Sequence, residues 1–579
     1  MKASPAHRLA WRLFLQRLFR VSEWQSLLLW AIVAGFMGAL ATEAFRLLLD
    51  ALDHLLLGQG GSLVAIAEHL PWWARALTPA VGGAIAGLLL VAASRFAQQK
   101  ETSDYMEAVV LGDGRIPAAQ TLARSASSLV TIASGGSIGR EGSMVQLAAL
   151  CASLLGQRLR FPLERMRLFV ACGAAAGITA AYNAPIAAAF FIAEIVLGSI
   201  AMESVGPILI AAVVANIAMH RLSLGQPPYV VPTFAEITGP EVLLFAALGL
   251  LVGGCAALFL QGLRLGRILF QRVAPPLPWR LALGGAIVGL ISIWWPQVWG
   301  NGYSVVNDVL HHNWPAALLL ALLLVKVVAT LATVGSGAVG GVFTPALFFG
   351  CFIGQLFGLG VHACWPGASA APVAYAVTGM GAFLAAATQA PLMAILVIFE
   401  MTLSYQVMLP LMACSVVAYF VARSIGAGSM YEITIKRREQ RDEKQRLSHL
   451  QMGDLVQSTQ TVVQPDADLE TMSQLFLRHP VKYLYVVDGQ QRFLGVVPLK
   501  ALKTADMKAS SQDLRAADLL SQEITPLTRD MDLGTALQRF VDHRGERLPV
   551  IESQGHPILL GMVDKTALLR TYVRLSESY

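Results

Sequence analysis

The sequence predicts an all-α, polytopic membrane protein with discontinuous helices, followed by a soluble α/β tail. Three observations carry this expectation. Of 579 residues, 55% are hydrophobic and 14% charged, whereas soluble domains carry roughly 25% charged residues. The charges are sparse from Trp24 to Ile425 and dense from Lys436 onward, as in IKRREQRDEKQR at 435 to 446. Finally, residues 173 to 195 and 379 to 401 share nine of 23 positions in register, including Ala184–Pro185 against Ala390–Pro391 and Glu194 against Glu400.

Taken in order, residues 1–23 form a basic, amphipathic start without a small-residue cleavage site, which predicts a cytosolic segment rather than a cleaved signal. The membrane body is expected over 24–431. A spanning helix needs about 20 apolar residues. Candidate segments are Leu27–Leu57, Leu77–Phe96, Thr121–Ile138, Ser143–Leu159, Leu168–Leu197, Ser204–Met219 and Val242–Leu263. They continue with Leu281–Trp295, Ala316–Val334, Val342–Val361, Val373–Met401 and Val407–Ile425. Several are too short or Gly-rich for simple spans, and others are long but interrupted by proline. That mixture predicts helices that break inside a protein core. The repeat divides the body into halves of about 24–220 and 240–431, a common build for transporters with a site between the halves.

Two Gly-rich segments precede the repeats: SGGSIGREGS, Ser134 to Ser143, and GSGAVGGVFTP, Gly335 to Pro345. Glycine lets backbone approach a ligand closely. A helix starting inside the body aims free N–H groups and about half a positive charge at such a ligand. These features bind an anion without a full cation, and weakly enough for conduction. Glu141 sits among those glycines in an apolar setting, where a carboxylate is costly unless it functions. It can occupy an anion site when ionised and leave when protonated. A helix cap or a salt bridge to Arg140 is the structural alternative.

GREGS at 139 to 143, GVFTP at 341 to 345 and the Ala-Pro repeats resemble the CLC chloride channel and transporter family, in its bacterial voltage-gated form. The likeness covers about Gly35 to Tyr431. It implies an inverted-repeat helical body and a homodimer with one pore per subunit. Position by position, it makes Glu141 the gating glutamate, with Gly139, Arg140 and Gly142 around it as chloride-binding residues. Val342 and Phe343 become the residues whose backbone N–H groups bind chloride. Tyr431, in GSMYEI, supplies the hydroxyl closing the inner side of the site.

The departures from the family pattern are informative. Ser143 replaces a usual proline and is expected to cap or start the helix. The family's first anion motif is missing. GDGRIP at 112 to 117 lies too close to Glu141 if a full helix intervenes. The positional match is ETSDYMEAV, with Thr102 or Ser103 near the serine ligand's place. The family's inner proton-relay glutamate is replaced by Ile195, which cannot titrate. That favours channel-like conduction, with Glu194 one step away as an alternative proton acid or a structural group paired with Glu400.

After a linker at 432–453, two units read strand, turn, strand, helix: KYLYVVDGQQRFLGVVPLKAL at 482 to 502 and ERLPVIESQGHPILLGMVDKTALL at 546 to 569. They resemble the halves of a CBS-domain pair, over 454–507 and 516–575. Nucleotide-binding members carry Thr and then Asp after the second strand. Here Pro498 and Ala501 stand in the first unit and Asp564 and Ala567 in the second. This argues against an adenine nucleotide as cofactor and for a dimerising or gating module.

The function expected is chloride transport through a pore gated by Glu141, channel-like and passive. The alternatives are a proton-coupled chloride antiporter of the same fold and, more remotely, a CBS-bearing divalent-cation transporter, which needs several converging carboxylates. No catalytic triad, P-loop or metal cluster argues for an enzyme, and no basic patch interleaved with aromatics argues for nucleic acid. The six cysteines read as small hydrophobes in helices, without a disulfide framework. His311 and His312 read as a loop feature. The expected partners are chloride, a second copy of the chain and the lipid bilayer. The expected place is a bacterial inner membrane, with the N-terminus and tail cytosolic.

Overall fold

The computed structural model describes residues 23–57, 61–94, 104–198, 200–222, 229, 231–232, 239–273, 276–366, 370–431, 451–506, 514–543 and 545–576. The chain divides into two compact units, residues 1–435 and 436–579.

The first unit is helical. Its elements are α1 (Glu23–Leu57), α2 (Leu63–His69), α3 (Trp72–Ser94), α4 (Tyr105–Val110), α5 (Ala118–Ala133) and α6 (Glu141–Arg158). Next come α7 (Leu163–Tyr182), α8 (Pro185–Phe191, prolonged by a π-turn over Ile192–Leu197), α9 (Met202–Leu222), α10 (Val242–Val273) and α11 (Leu277–Ser292). The series ends with α12 (Tyr303–His311), α13 (Ala316–Gly335), α14 (Phe343–Cys364), α15 (Pro372–Thr388), α16 (Pro391–Thr402) and α17 (Met408–Ser424). Among the described residues, seven helices are long and apolar enough to cross a membrane. Four shorter apolar helices sit between them, so the body is a multi-pass membrane protein with helices that stop inside it. Exposed Leu, Ile and Trp along α1, α3, α10 and α17 face what is hydrocarbon in a bilayer.

The two long interrupted segments break where their sequences differ least. Asn183 and Gln389 both adopt left-handed backbone, at φ 58° and 61°. The next residues, Ala184 and Ala390, share φ near −130° and ψ 79°. Pro185 and Pro391 then open a helix at the position where a missing N–H costs nothing. Across the repeat the glutamates cap one another's helices. Glu400 accepts from Ile186 N (2.9 Å) and Ala187 N (2.8 Å) at the start of α8. Glu194 accepts from Met393 N (3.0 Å) at the start of α16. Each carboxylate satisfies donors that a helix start leaves without intrahelical partners and opposes the positive end of the helix dipole.

Two sequence expectations change here. Ser143 lies in the first turn of α6, but its hydroxyl is buried without a hydrogen-bond partner, so it caps nothing. The helix has already begun at Glu141. His311 closes α12 rather than lying in a loop, and His312 bonds Asp308 of the same helix at 2.8 Å.

In the second unit, β1 (Val462–Val463), β2 (Tyr483–Val487) and β3 (Phe493–Pro498) form one sheet, with α18 (Leu469–Arg478) and α19 (Leu499–Asp506). The second sheet holds β4 (Leu527–Thr528), β5 (Arg547–Ile551) and β6 (Leu559–Asp564), with α20 (Leu533–Asp542) and α21 (Lys565–Ser576). In each, the first pair is parallel and the second antiparallel, with a register shift at Val486/Val487 and Val550/Ile551. Asp468 and Asp532 cap equivalent helices by accepting from Thr471 N and Thr535 N.

The Thr535 hydroxyl and backbone N–H hold the Asp532 carboxyl below its ordinary value. A group whose folded value is depressed stabilises the fold above the unfolded value of about 4. That contribution is lost as pH falls through the lower, folded value. Asp532→Ala should cost about 1 kcal/mol. It should appear as faster amide exchange in α20 of the intact chain at pH 7, with the difference from wild type vanishing in strong acid.

Candidate functional site

The site forms where the two Gly-rich segments meet. Gly139 N donates to Gly341 O (2.8 Å) and Gly341 N to Gly139 O (2.9 Å), an antiparallel bridge across about 200 residues of sequence. A methyl group on Gly139 would displace Glu141 Oε2 from where it rests, and one on Gly341 would sit tightly against Gly142 N, 3.4 Å from that oxygen. Glycine here lets a carboxylate rest directly on backbone.

From the bridge the chain enters α6 at Glu141 and, on the other side, α14 at Phe343. Both helix starts therefore lie beside one carboxylate. Pro345 occupies the third helical position of α14, so the donors at this terminus are the N–H groups of Val342, Phe343 and Thr344. Three further contacts set the loops. Ser137 N donates to Thr333 Oγ1 (3.2 Å), and Ser137 Oγ bonds Thr330 Oγ1 (3.1 Å). The ring of Trp299 packs where Gly135, at φ 92°, has no side chain.

Glu141 is buried, 4% exposed. Its Oε1 accepts from Tyr303 OH (2.9 Å) and Thr344 Oγ1 (2.5 Å). Tyr182 OH bonds Thr344 Oγ1 in turn (3.2 Å). Oε2 is buried and has no hydrogen-bond partner. Arg140 lies over the Tyr303 ring at 5.5 Å, braced against the residue that holds its neighbour. A buried carboxylate gripped by hydroxyls through one oxygen and free at the other is restrained but not locked, since hydroxyls rotate and exchange acceptors easily.

Glu141, Gly142, Val342, Phe343 and Tyr431 line one cavity of about 800 Å³. Phe343 packs on Tyr182 (4.7 Å between centroids) and Phe191 (6.5 Å), and Phe191 meets Tyr431 edge-on at 5.6 Å. Tyr431 is placed by the end of α15. Met430 N donates to Ala387 O, Ser429 Oγ to Thr388 O, and Tyr431 N to Ser429 Oγ, so the segment satisfies carbonyls that a helix end leaves open. The wall also includes Asp104, Tyr105 and Met106, whereas GDGRIP is not part of it. Gly112 instead accepts from Arg167. Thr102 and Ser103 lie outside the described residues.

Ile195 is buried in the π-turn after α8, and Glu194 beside it is turned to the start of α16. Sequence reasoning missed Tyr303, Thr344 and Tyr182, the hydroxyls around Glu141. Thr344 was readable inside GVFTP, but Tyr303 is 162 residues from Glu141 and no local pattern joins them. It also missed Arg264, Arg267 and Arg280, which line the cavity beside Arg124 and raise its potential for anions.

Comparison with known proteins agrees with this architecture. The voltage gated chloride channel family matches residues 82–423, and the CBS domain matches 452–508 and 516–574. A chloride channel protein described as ClcB-like from Ralstonia nicotianae is 53% identical over 417 residues, 71% of this chain and 97% of the relative. The voltage-gated ClC-type chloride channel ClcB of Citrobacter koseri is 43% identical, covering 70% and 97%. Among solved structures, a slow cyanobacterial Cl−/H+ antiporter superposes with TM-score 0.63 at 26% identity, over 71% of this chain and 97% of the other. A eukaryotic CLC transporter shares the fold at TM-score 0.57 and 17% identity, over 93% and 97%.

Proposed function

The chain belongs to the voltage-gated chloride channel (CLC) family and carries a CBS-domain pair, and from that premise we propose that it conducts chloride passively across a membrane through a pore gated by Glu141. One observation carries the reading: the Glu141 carboxylate lies between two helix starts, at the edge of the cavity that reaches Val342, Phe343 and Tyr431. In this reading chloride rests against the Val342 and Phe343 N–H groups, Tyr431 closes the inner side, and the carboxylate competes for the outer part of the path. Protonation removes its charge and halves the strength of its hydrogen bonds, so the side chain leaves and an anion passes. The positive ends of α6 and α14 favour an anion without binding it too tightly.

Passive conduction is supported by Ile195, an apolar side chain where the family's exchangers carry an inner acid. Glu194 is occupied as a helix cap. Antiport is the second reading, favoured by the likeness to a solved Cl−/H+ antiporter. Glu194 and Glu400 point to separate helix starts rather than converging, which leaves a divalent cation without a carboxylate cage. The rest of the proposal follows the family: two inverted halves per pore, a homodimer, a bacterial inner membrane, the N-terminus and tail in the cytosol, and the tail acting on dimerisation or gating.

The test uses purified protein in liposomes with an imposed chloride gradient, the voltage clamped by valinomycin, and chloride and internal pH followed together. Chloride flux without uphill proton movement is expected. Protons driven uphill by chloride would replace the channel reading with antiport, and folded protein with no anion flux would remove chloride as the substrate.

A further inference from the structure

Lys326 lies near the middle of α13, in an apolar span, and is 0% exposed. A cation in such a place is costly and is retained for a job. Among the described residues, no carboxylate pairs with it. Its Nζ donates to Val298 O (2.8 Å) and Gly300 O (2.8 Å) and lies 5.5 Å from the Phe348 ring centroid. Those two carbonyls belong to the turn that enters α12. The turn is shaped by left-handed Gly300 and Gly302, at φ 63° and 91°. Immediately after it comes Tyr303, whose hydroxyl holds Glu141. Trp299, between the two carbonyls of the same turn, packs on Gly135 of the loop leading to Glu141.

Lys326 also shares a helical face with Thr330 and Thr333, at spacings of four and seven. Those two threonines hold Ser137 of that same loop. One buried polar stripe of α13 therefore grips both backbone segments that converge on the carboxylate. We propose that Lys326 is a positioning residue for the gate: by fixing the 298–302 turn it presents the Tyr303 hydroxyl to Glu141 and sets how firmly the closed position is held. The inference rests on the reading of Glu141 as the gate.

Besides the hydroxyls of Tyr303 and Thr344, the titratable groups facing Glu141 are Arg140 on its own element, Tyr182 of α7, and Tyr229, whose ring meets Tyr303 at 4.8 Å. Asp53 of α1 acts on Arg140, and Tyr431 acts across the cavity. Lys326 itself bonds the carbonyls of Val298 and Gly300, so its effect on the gate travels through the turn.

The experiment measures chloride flux in liposomes between pH 4 and 8 for wild type, Lys326→Met, Lys326→Arg and Tyr303→Phe. Each is repeated with Glu141→Gln. Lys326→Met and Tyr303→Phe should each raise flux at neutral pH by about tenfold, the worth of one hydrogen bond to a charged group. Together they should raise it no further. Lys326→Arg, which keeps the donors and the charge, should restore the wild-type profile. With Glu141→Gln present, Lys326→Met should change nothing. Equal effects with and without Glu141 would overturn the proposal, since the ammonium would then act on the anion directly. So would a wild-type pH profile for Lys326→Met. A Glu141→Gln variant that keeps the wild-type pH profile would remove the gate itself, and this inference with it. If Lys326→Met does not fold, Lys326→Gln, too short to bridge both carbonyls, should raise flux at neutral pH by a smaller factor that disappears with Glu141→Gln, and an unchanged flux or an effect that persists there would overturn the proposal.

Discussion

Glu141→Ala should raise chloride flux at neutral pH by one to two orders of magnitude and flatten its dependence on pH. On the gating proposed for Glu141, wild-type flux should increase as pH falls, because protonation would discharge the carboxylate. The magnitude follows from what holds the side chain. Tyr303 and Thr344 both donate to Oε1, and hydrogen bonds to a charged group contribute about 1.5–3 kcal/mol each. Part of that total is returned when the freed carboxylate is solvated, and at 1.4 kcal/mol per factor of ten the remainder opens the path by the stated amount. The unpartnered Oε2 keeps the restraint from being larger. Glu141→Gln should behave similarly, since it has no charge to titrate, while Glu141→Asp, one methylene short of the hydroxyls, should be partly open yet still respond to pH. The measurement is initial chloride efflux from liposomes at matched protein density. Flux in Glu141→Ala that still climbs steeply on acidification would mean that a different group gates the path.

Part of the architecture around Glu141 was legible in the sequence, for identifiable reasons. The Ala-Pro repeat and its glutamates are visible because the physics is local. A left-handed residue, an extended residue and a proline at a helix start recur in both halves, so the same residue types return at the same offsets. The backbone side of the site was legible for the same reason: glycine records where chain must approach a ligand or another chain closely, and Gly139 and Gly341 turn out to pair. The side-chain side was not. Tyr303, Tyr182 and Lys326 come from three different helices. A tyrosine or lysine in an apolar run reads the same whether it touches a gate or an interface. Their roles exist only once tertiary packing brings α7, α12 and α13 around α6. Ser143 shows the converse, a residue given a local task by its position in the motif although its hydroxyl finds no partner.

Glu400→Ala should lower the stability of the membrane body substantially, and its comparison with Glu194 separates structure from proton chemistry. Glu400 satisfies two backbone donors of α8, Ile186 and Ala187. Leaving a donor unsatisfied away from water costs about 1–3 kcal/mol. Two such donors put the expected loss at about 2–6 kcal/mol, because hydrocarbon offers no water to take the place of the carboxylate. Glu194→Ala exposes the start of α16 in the same way, through Met393, and should cost less. The conservative variants decide the roles. Glutamine keeps a carbonyl acceptor for the helix start but cannot carry a proton. If Glu194 serves only as a cap, Glu194→Gln should melt within a few degrees of wild type and leave chloride flux and internal pH unchanged in the liposome assay. If Glu194 instead supplies the inner proton step in place of Ile195, Glu194→Gln should abolish uphill proton movement while preserving thermal stability. Thermal unfolding in detergent, read beside proton and chloride traces on the same preparations, distinguishes the two. The reciprocal capping of the two halves favours the first outcome, because a carboxylate that Glu400 mirrors in an equivalent place is explained by the repeat.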